Sequence, residues 1–384
     1  MSYVDELIFG NVATPAHAAN IARVIAMKAG LPVDLPAFTV SRNCASGMES
    51  ITTAGHKILA GEGKIYIAGG TESMSNIPFF FNRKMKEFYS DLYRSRSAVQ
   101  KIKTLLSFRF RFLKPEIGVV QGLTDPISGK IMGETAEILA KEFNISREKQ
   151  DIFALSSHQK AVRAIQGGIL AREIVPVPGD LNSGRVIKDD NGPRENQTLD
   201  ALSKLKPYFD REKGSVTVGN ASSLTDGACA LLIMEEKKAR ELGYIPLGYL
   251  REYAYASLDP EHMGFGPVHA TAALLKKSGA SMKDFEIIEL NEAFAAQVLA
   301  CEKAFASTEY AKNSFGLDHP VGELDMDILN VNGGAIALGH PVGMSGARLV
   351  LHTLKELKRR NLQAGLATLC VGGGQGAALF LEVE

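Results

Sequence analysis

The chain has 384 residues, room for about two to three domains, and at 45% apolar and 22% charged residues it is no disordered protein. Its 43 Lys and Arg balance 43 Asp and Glu, so net charge offers nothing to nucleic acid. Cys44, Cys229, Cys301 and Cys370 are too few for a disulfide scaffold and have no metal-ligand spacing, which reads as a reducing, cytoplasmic setting; the acidic start (Asp5, Glu6) is no signal peptide, and no apolar run is long enough to span a bilayer.

Residues 4–9 read as a short strand ending at Gly10, followed by a helix from about Pro15 to Lys28 closed by Gly30 and Pro32. A strand at 38–41 leads into Asn43-Cys44-Ala45-Ser46-Gly47. After it Met48, Ile51, Ala54, Ile58 and Leu59 fall at helical spacing. Cys44 thus sits in a strand-to-helix turn, where unpaired N–H groups and the helix dipole are expected to lower a thiol pKa. A lone intracellular cysteine is more often inert core; the turn and its small neighbours make Cys44 a candidate nucleophile in search of a base. A strand at 64–68 ending in Gly69-Gly70 completes β-α-β-α-β, the pattern of a mostly parallel, helix-covered sheet.

Residues 79–116 change character. Arg83, Lys84, Lys86, Arg94, Arg96, Lys101, Lys103, Arg109, Arg111 and Lys114 outnumber Glu87, Asp91 and Glu116, and aromatic and aliphatic residues fill the gaps. Such a stretch suits a membrane surface or an acidic partner; a helical hairpin packed on the protein with a solvated basic face fits equally. Gly133 to Gly168 reads as two helices, the second capped by Ser146. Residues 176–214 read as loops with short strands. Cys229–Met234 reads as a buried strand, which makes Cys229 core, and is followed by a helix (235–242), a strand (247–255) and a helix (267–278).

The second half repeats the first. Glu286–Leu290 resembles Asp5–Phe9, and each run leads to an asparagine (Asn291, Asn11) and an Ala-rich helix. Ile328–Val331 matches the strand before Cys44. A Gly-rich turn, a helix (344–359) and a strand (366–370) ending in Gly372-Gly373-Gly374 follow. Duplication of one βαβαβ unit accounts for this. The strand and helix that precede Glu286 have no counterpart at the start of the chain, which reads as a misplaced start codon or a fragment.

Duplication brings equivalent turns together. Opposite Cys44 the second half offers His340, in a Gly-rich turn and with a pKa suited to proton transfer from a thiol. Cys370, at a strand end before three glycines, is a candidate second acid/base. Asn291 is placed either to fix a water or donate to an oxyanion, or to cap the helix 292–303. Two thiols and an imidazole at equivalent ends of a duplicated sheet suggest acyl transfer through a thioester.

The blocks Asn43–Gly47, Gly219-Asn220-Ala221-Ser222, Asn291–Gln297, Gly333–Gly346 around Gly339-His340-Pro341, and Cys370 with its glycines together resemble the thiolase family, over nearly the whole chain. The resemblance implies an α/β, duplicated βαβαβ fold in five layers (αβαβα) with an inserted loop domain: an N-terminal domain of 1–74 plus 225–243, a loop domain of 75–224 and a C-terminal domain of 244–384. It implies Cys44 as acylated nucleophile, His340 as the base for Cys44 or coenzyme A, and Cys370 as acid/base at the substrate α-carbon. Asn291 would hold a water that forms one oxyanion hole with His340, backbone N–H groups near Cys44 and Gly372 would form the other, and Ser222, Met263 and Phe294 would line the pantetheine tunnel. The family's first strand is expected in the middle of the N-terminal sheet, so a chain without it would expose sheet edges.

Residues 79–116 and the tail from Glu309 to Glu323 resemble thiolase subunits of fatty-acid β-oxidation complexes. This implies cleavage of 3-ketoacyl-CoA by coenzyme A, which is substrate and not cofactor, and no metal. It also implies a homodimer or dimer of dimers, a hydratase/dehydrogenase partner subunit, peripheral membrane contact and no nucleic acid. Those subunits usually carry His where this chain has Asn291, and many acetoacetyl-CoA thiolases carry His where it has Ile131. The alternatives are an acetoacetyl-CoA-forming acetyltransferase and an inactive acyl-CoA-binding subunit. Ketoacyl synthases, with His or Asn as third member, fit Cys370 poorly.

Overall fold

The computed structural model describes residues 4–179, 184 and 186–384. In chain order the strands are β1 (Glu6–Gly10), β2 (Ala37–Val40), β3 (Ile65–Ser73), β4 (Phe79–Phe81), β5 (Pro115–Ile117), β6 (Val177–Pro178), β7 (Val186–Ile187), β8 (Asp226–Met234), β9 (Tyr249–Ser257), β10 (Ile287–Leu290), β11 (Ala364–Val371) and β12 (Gln375–Glu382). The helices are α1 (Ile21–Lys28), α2 (Ser46–Leu59), α3 (Arg83–Arg94), α4 (Ala98–Leu106), α5 (Gly118–Gly122), α6 (Met132–Glu142), α7 (Arg147–Gln166), α8 (Leu199–Ser203), α9 (Glu236–Glu241), α10 (Gly266–Ser278), α11 (Ala295–Ala306), α12 (Thr308–Phe315), α13 (Ala335–Leu338) and α14 (Val342–Arg360).

Two sheets carry the duplication. The first runs β2-β1-β3-β8 and the second β10-β11-β12-β9, with Leu329 bridged in parallel to Ile288 beyond β10. Their registers coincide. Glu6 faces Tyr66 and Ile65 faces Met234 in the first; Ile287 faces Gly365 and Ala364 faces Glu382 in the second. An acidic residue clamps each sheet at the same place: Asp5 accepts from the N–H groups of Lys64 and Ile65, and Glu286 from those of Gln363 and Ala364. This register makes Gly10 the counterpart of Asn291, so the expected pairing of Asn11 with Asn291 is off by one residue.

The layers follow from which faces are apolar. α2 and α14 lie between the sheets, packing with Ile8, Tyr66, Leu369 and Leu379 in one core. α1 covers the outer face of β1 and β2, and α10 covers that of β9, β12 and β11. α2 and α14 approach closely because a side chain is absent at the crossing: a Cβ on Gly47 would lie 2.6 Å from the Ala347 nitrogen, and one on Gly346 2.8 Å from the Met48 nitrogen. The helix N-termini, with Cys44 before one and His340 before the other, are thereby held side by side.

Several sequence expectations change. α1 begins at Ile21, not near Pro15, because the Asn20 side chain accepts from the Arg23 N–H and starts the helix there. β3 does not stop at Gly69-Gly70 but continues to Ser73. These glycines allow close contact instead, since a Cβ on Gly69 would strike the Cys229 carbonyl and one on Gly70 the Gly343 carbonyl. The counterpart of β9 belongs beyond β8, at the edge of the first sheet rather than in its middle; chain order does not set spatial order in a crossover sheet. Among the described residues no strand pairs with that edge. Among the described residues no helix covers the outer face of β8 as α10 covers that of β12, so β8 is not a buried strand. Ala228, Ala230 and Leu232 are exposed, whereas their counterparts Gly376, Ala378 and Phe380 are covered in the second half. Cys229 faces the inner core, as expected.

Residues 79–117 form a lobe closed at its base by the β4–β5 ladder. Met85 and Phe88 are buried, and Phe88, Phe108 and Phe112 pack edge-on. Much apolar surface stays outside, with Tyr93 92% and Phe110 85% exposed.

Candidate active site

The Cys44 turn is built by its neighbours. Asn43 takes φ +44°, a left-handed conformation that asparagine tolerates, and Ser46 Oγ donates to the Asn43 carbonyl while accepting from the Arg42 N–H. Asn43 Nδ2 donates to the Gly372 carbonyl at 2.7 Å. That bond ties the turn before α2 to the glycine turn after Cys370. The N–H groups of Gly372 and of Cys44 itself point at the Cys44 sulfur. The half-buried thiol is nevertheless raised above its ordinary pKa, because burial and the Glu72 charge outweigh these two donors. The expected lowering at the helix N-terminus is therefore corrected: Cys44 rests as a thiol and needs a base.

His340 can be that base. It is buried, and burial followed by the Arg348 charge pushes its pKa down to about 3, so the imidazole is neutral. Its Nδ1 lies 2.6 Å from Ser345 Oγ, which donates its own proton to the Pro341 carbonyl. Ser345 therefore accepts from Nδ1–H and leaves the Nε2 lone pair to take a proton. The loop is pinned further by Arg348, which donates to the Gly339 carbonyl, and by the His340 N–H, which donates to the Ser223 carbonyl.

Cys370 is buried at the end of β11, its thiol raised well above the ordinary value by burial and by neighbouring Cys44. A neutral thiol there can give a proton and take it back. Met263 and Phe294 share one apolar cluster with Cys370. Ser222, half-buried, donates its N–H to the Ala293 carbonyl beside Phe294. Asn291 directly follows β10, its N–H bonded to the Thr368 carbonyl two residues from Cys370. It is not a helix cap, since α11 starts at Ala295 with Phe294 in the cap position. Its side-chain Oδ1 and Nδ2 are buried without a hydrogen-bond partner among the described residues, as suits an amide that holds a substrate atom or a water. Cys301 is buried on α11, bonded to the Gly264 carbonyl, and lies near enough to Cys370 to add to its raised pKa.

Four supporting residues were not singled out from sequence: Glu72, Glu292, Ser345 and Arg348. Glu292 accepts from Ser157 Oγ, Asn330 Nδ2 and the Ile336 N–H, and so shapes the turn ahead of His340. Ser345 had a legible signal in its place one turn beyond a histidine at a helix start. Glu72 had none, because its partners are remote in sequence; Arg348 lies nine residues from the Gly339 carbonyl, a spacing that has no motif of its own.

A duplicated α/β core with an acylatable thiol, a neutral imidazole and a second thiol defines the class of cysteine-dependent acyl-transfer enzymes. The chain belongs to the thiolase family: the thiolase N-terminal domain matches residues 1–237 and the C-terminal domain residues 244–383. It is 42% identical over 384 residues to a 3-ketoacyl-CoA thiolase of Serratia proteamaculans, covering 99% of this chain and 87% of that protein. Among solved structures it is similar to the acetyl-CoA acetyltransferase of Bacillus anthracis (TM-score 0.85, 39% identity, covering 99% of this chain and 87% of that one). It is also similar to human mitochondrial 3-ketoacyl-CoA thiolase in complex with CoA (TM-score 0.83, 35% identity, covering 100% and 87%).

Proposed function

We propose that this enzyme cleaves 3-ketoacyl-CoA with coenzyme A to acetyl-CoA and an acyl-CoA shortened by one acetyl unit. His340 Nε2 takes the Cys44 proton and the sulfur attacks the 3-keto carbon. The oxyanion is met by the N–H groups of Cys44 and Gly372. The C2–C3 bond breaks, leaving the acyl group on Cys44, and Cys370 protonates the acetyl-CoA enolate, whose oxygen faces Asn291 with its water and His340. Once acetyl-CoA has left, His340 passes its proton to the Cys370 thiolate; coenzyme A then gives its thiol proton to His340 and attacks the thioester, and Cys44 leaves as a thiolate that takes this proton back from His340. The pantetheine arm runs past Ser222, Met263 and Phe294. No resident metal or other cofactor takes part. Residues 1–74 with 225–243, 75–224 and 244–384 act as core, loop and core units.

The bond from Asn43 to Gly372 carries this reading, because it joins the two thiols and the amide donors in one place. Thiolysis assays on Cys44→Ala test it: a loss of roughly a thousandfold or more in kcat is expected, with iodoacetamide inactivating the wild type and acyl-CoA protecting. Retained thiolysis in Cys44→Ala sinks the mechanism. The likeness to acetyl-CoA acetyltransferases supports a second reading, formation of acetoacetyl-CoA; activity confined to four-carbon substrates would select it.

The 79–117 lobe supports a finer proposal, peripheral contact of this cytoplasmic protein with an anionic membrane. Exposed Tyr93, Leu106 and Phe110 lie among ten Lys and Arg residues. Among the described residues no helix is long and apolar enough to cross a membrane. Co-sedimentation with phosphatidylglycerol vesicles, lost in high salt and in Phe110→Ser, is expected; equal binding to phosphatidylcholine vesicles contradicts it. A homodimer and a hydratase/dehydrogenase partner complete the proposed assembly.

A further inference from the structure

Glu72 lies near the end of β3, 2% exposed, with no cation bonded to it among the described residues. Its Oε1 accepts from Asn11 Nδ2 and the Ala13 N–H, both at 3.0 Å. Its Oε2 accepts from the Val12 N–H at 3.0 Å and from the Gly343 N–H at 2.9 Å. Gly343 is the second residue of α14, three beyond His340, and belongs to the first turn, whose N–H groups have no partner within the helix. The contact admits no side chain, since a Cβ on Gly343 would lie 2.8 Å from Glu72 Oε2. Two residues earlier on the same strand, a Cβ on Gly70 would strike the Gly343 carbonyl oxygen. The base-bearing loop of the second half is thus seated on a carboxylate of the first.

The same carboxylate acts on the nucleophile. Its charge reaches Cys44 and disfavours the thiolate, and Cys370 lies beside the same sulfur. A carboxylate placed to stabilise structure alone has no need to lie within electrostatic reach of the thiol.

We propose that Glu72 is a positioning residue for the Cys44–His340 pair: it fixes the His340 loop against the first half of the core and holds a negative charge within reach of Cys44. This rests on the reading of His340 as base. His340→Asn tests that reading separately: if it stays fully active the base assignment fails, and if it is inactive while Glu72→Gln is not, only the role of Glu72 fails.

Glu72→Gln keeps the volume but loses the charge and turns an N–H donor toward other donors. Its kcat is expected to fall by about tenfold or more with KM for coenzyme A within about twofold, because misplaced reacting groups cost rate and not ground-state binding. Alkylation of Cys44 by iodoacetamide, followed against pH, is expected to move its midpoint downward, because a nearby negative charge is gone. A wild-type kcat, a KM that rises in step with the loss, or an unmoved alkylation midpoint overturns the proposal. Should Glu72→Gln not fold, Asn11→Ala decides. It removes one of the carboxylate's bonds and leaves its charge, so kcat is expected to fall a few-fold with the alkylation midpoint in place; a wild-type kcat in a folded Asn11→Ala overturns the proposal as well.

Discussion

At the scale of single residues the site runs on neutral groups. Cys44 and Cys370 are thiols and His340 an unprotonated imidazole, with burial the largest cause in each: it outweighs the backbone donors at the thiols and acts together with the Arg348 charge at His340. Proton traffic between neutral partners depends on orientation, which gives Ser345 its importance. Ser345→Ala frees the His340 ring to flip and change tautomer. A kcat loss of roughly 10-fold to 100-fold is expected in steady-state thiolysis, a share of what a positioned base contributes; an unchanged kcat removes Ser345 from the account. Asn291 gives the complementary case. Its amide has no partner among the described residues, so Asn291→Ala gives up no protein hydrogen bond. The melting temperature is expected to hold, while kcat falls by roughly 10²-fold or more through loss of oxyanion stabilisation. A parallel fall in both would make Asn291 a structural residue. Both residues could be picked out in sequence, Asn291 by its motif and Ser345 by its spacing from His340, but neither tautomer nor unpaired amide could be read there.

At the scale of elements, α14 links catalysis to stability. Its N-terminus carries the His340 turn and its C-terminal end carries a carboxylate held by two arginines. Burial would raise the Glu356 pKa, but Arg359 and Arg360 outweigh it and bring it down to about 2. A folded-state pKa below the ordinary value of 4.5 means stability present above pH 4.5 and lost as pH falls from there through 2. Thermal melts of the wild type across that window are expected to drop more steeply than those of Glu356→Gln; matching slopes would show that the cluster is energetically silent. The helix was legible in sequence, with its range short by two residues at the start and one at the end. Its neighbour was not: the glycine-permitted crossing with α2 joins residues about 300 positions apart.

At the scale of the whole molecule the two halves differ in how they are covered. β12 is closed by β9 and roofed by α10, whereas β8 shows Ala228, Ala230 and Leu232 on its outer face. An open, apolar strand edge invites pairing with another chain. Leu232→Lys is expected to reduce self-association at high protein concentration, measured by light scattering, with thiolysis unchanged because Leu232 faces away from the α2–α14 layer. Unaltered scattering would show that the edge is not the adhesive surface.

The sequence by itself determined the duplicated βαβαβ plan and the separate basic, aromatic lobe, and it singled out Cys44, His340, Cys370 and Asn291 as candidates for one site. Each is written in local pattern: hydrophobic period, turn glycines, and residue types whose chemistry is their own. Only the tertiary structure decided that the counterpart of β9 would lie at the edge of its sheet, that Cys44 rests protonated, and that Glu72 joins the halves beneath the base. Strand order, burial and hydrogen-bond partners depend on contacts between segments far apart along the chain, and those distances exist only once it has folded.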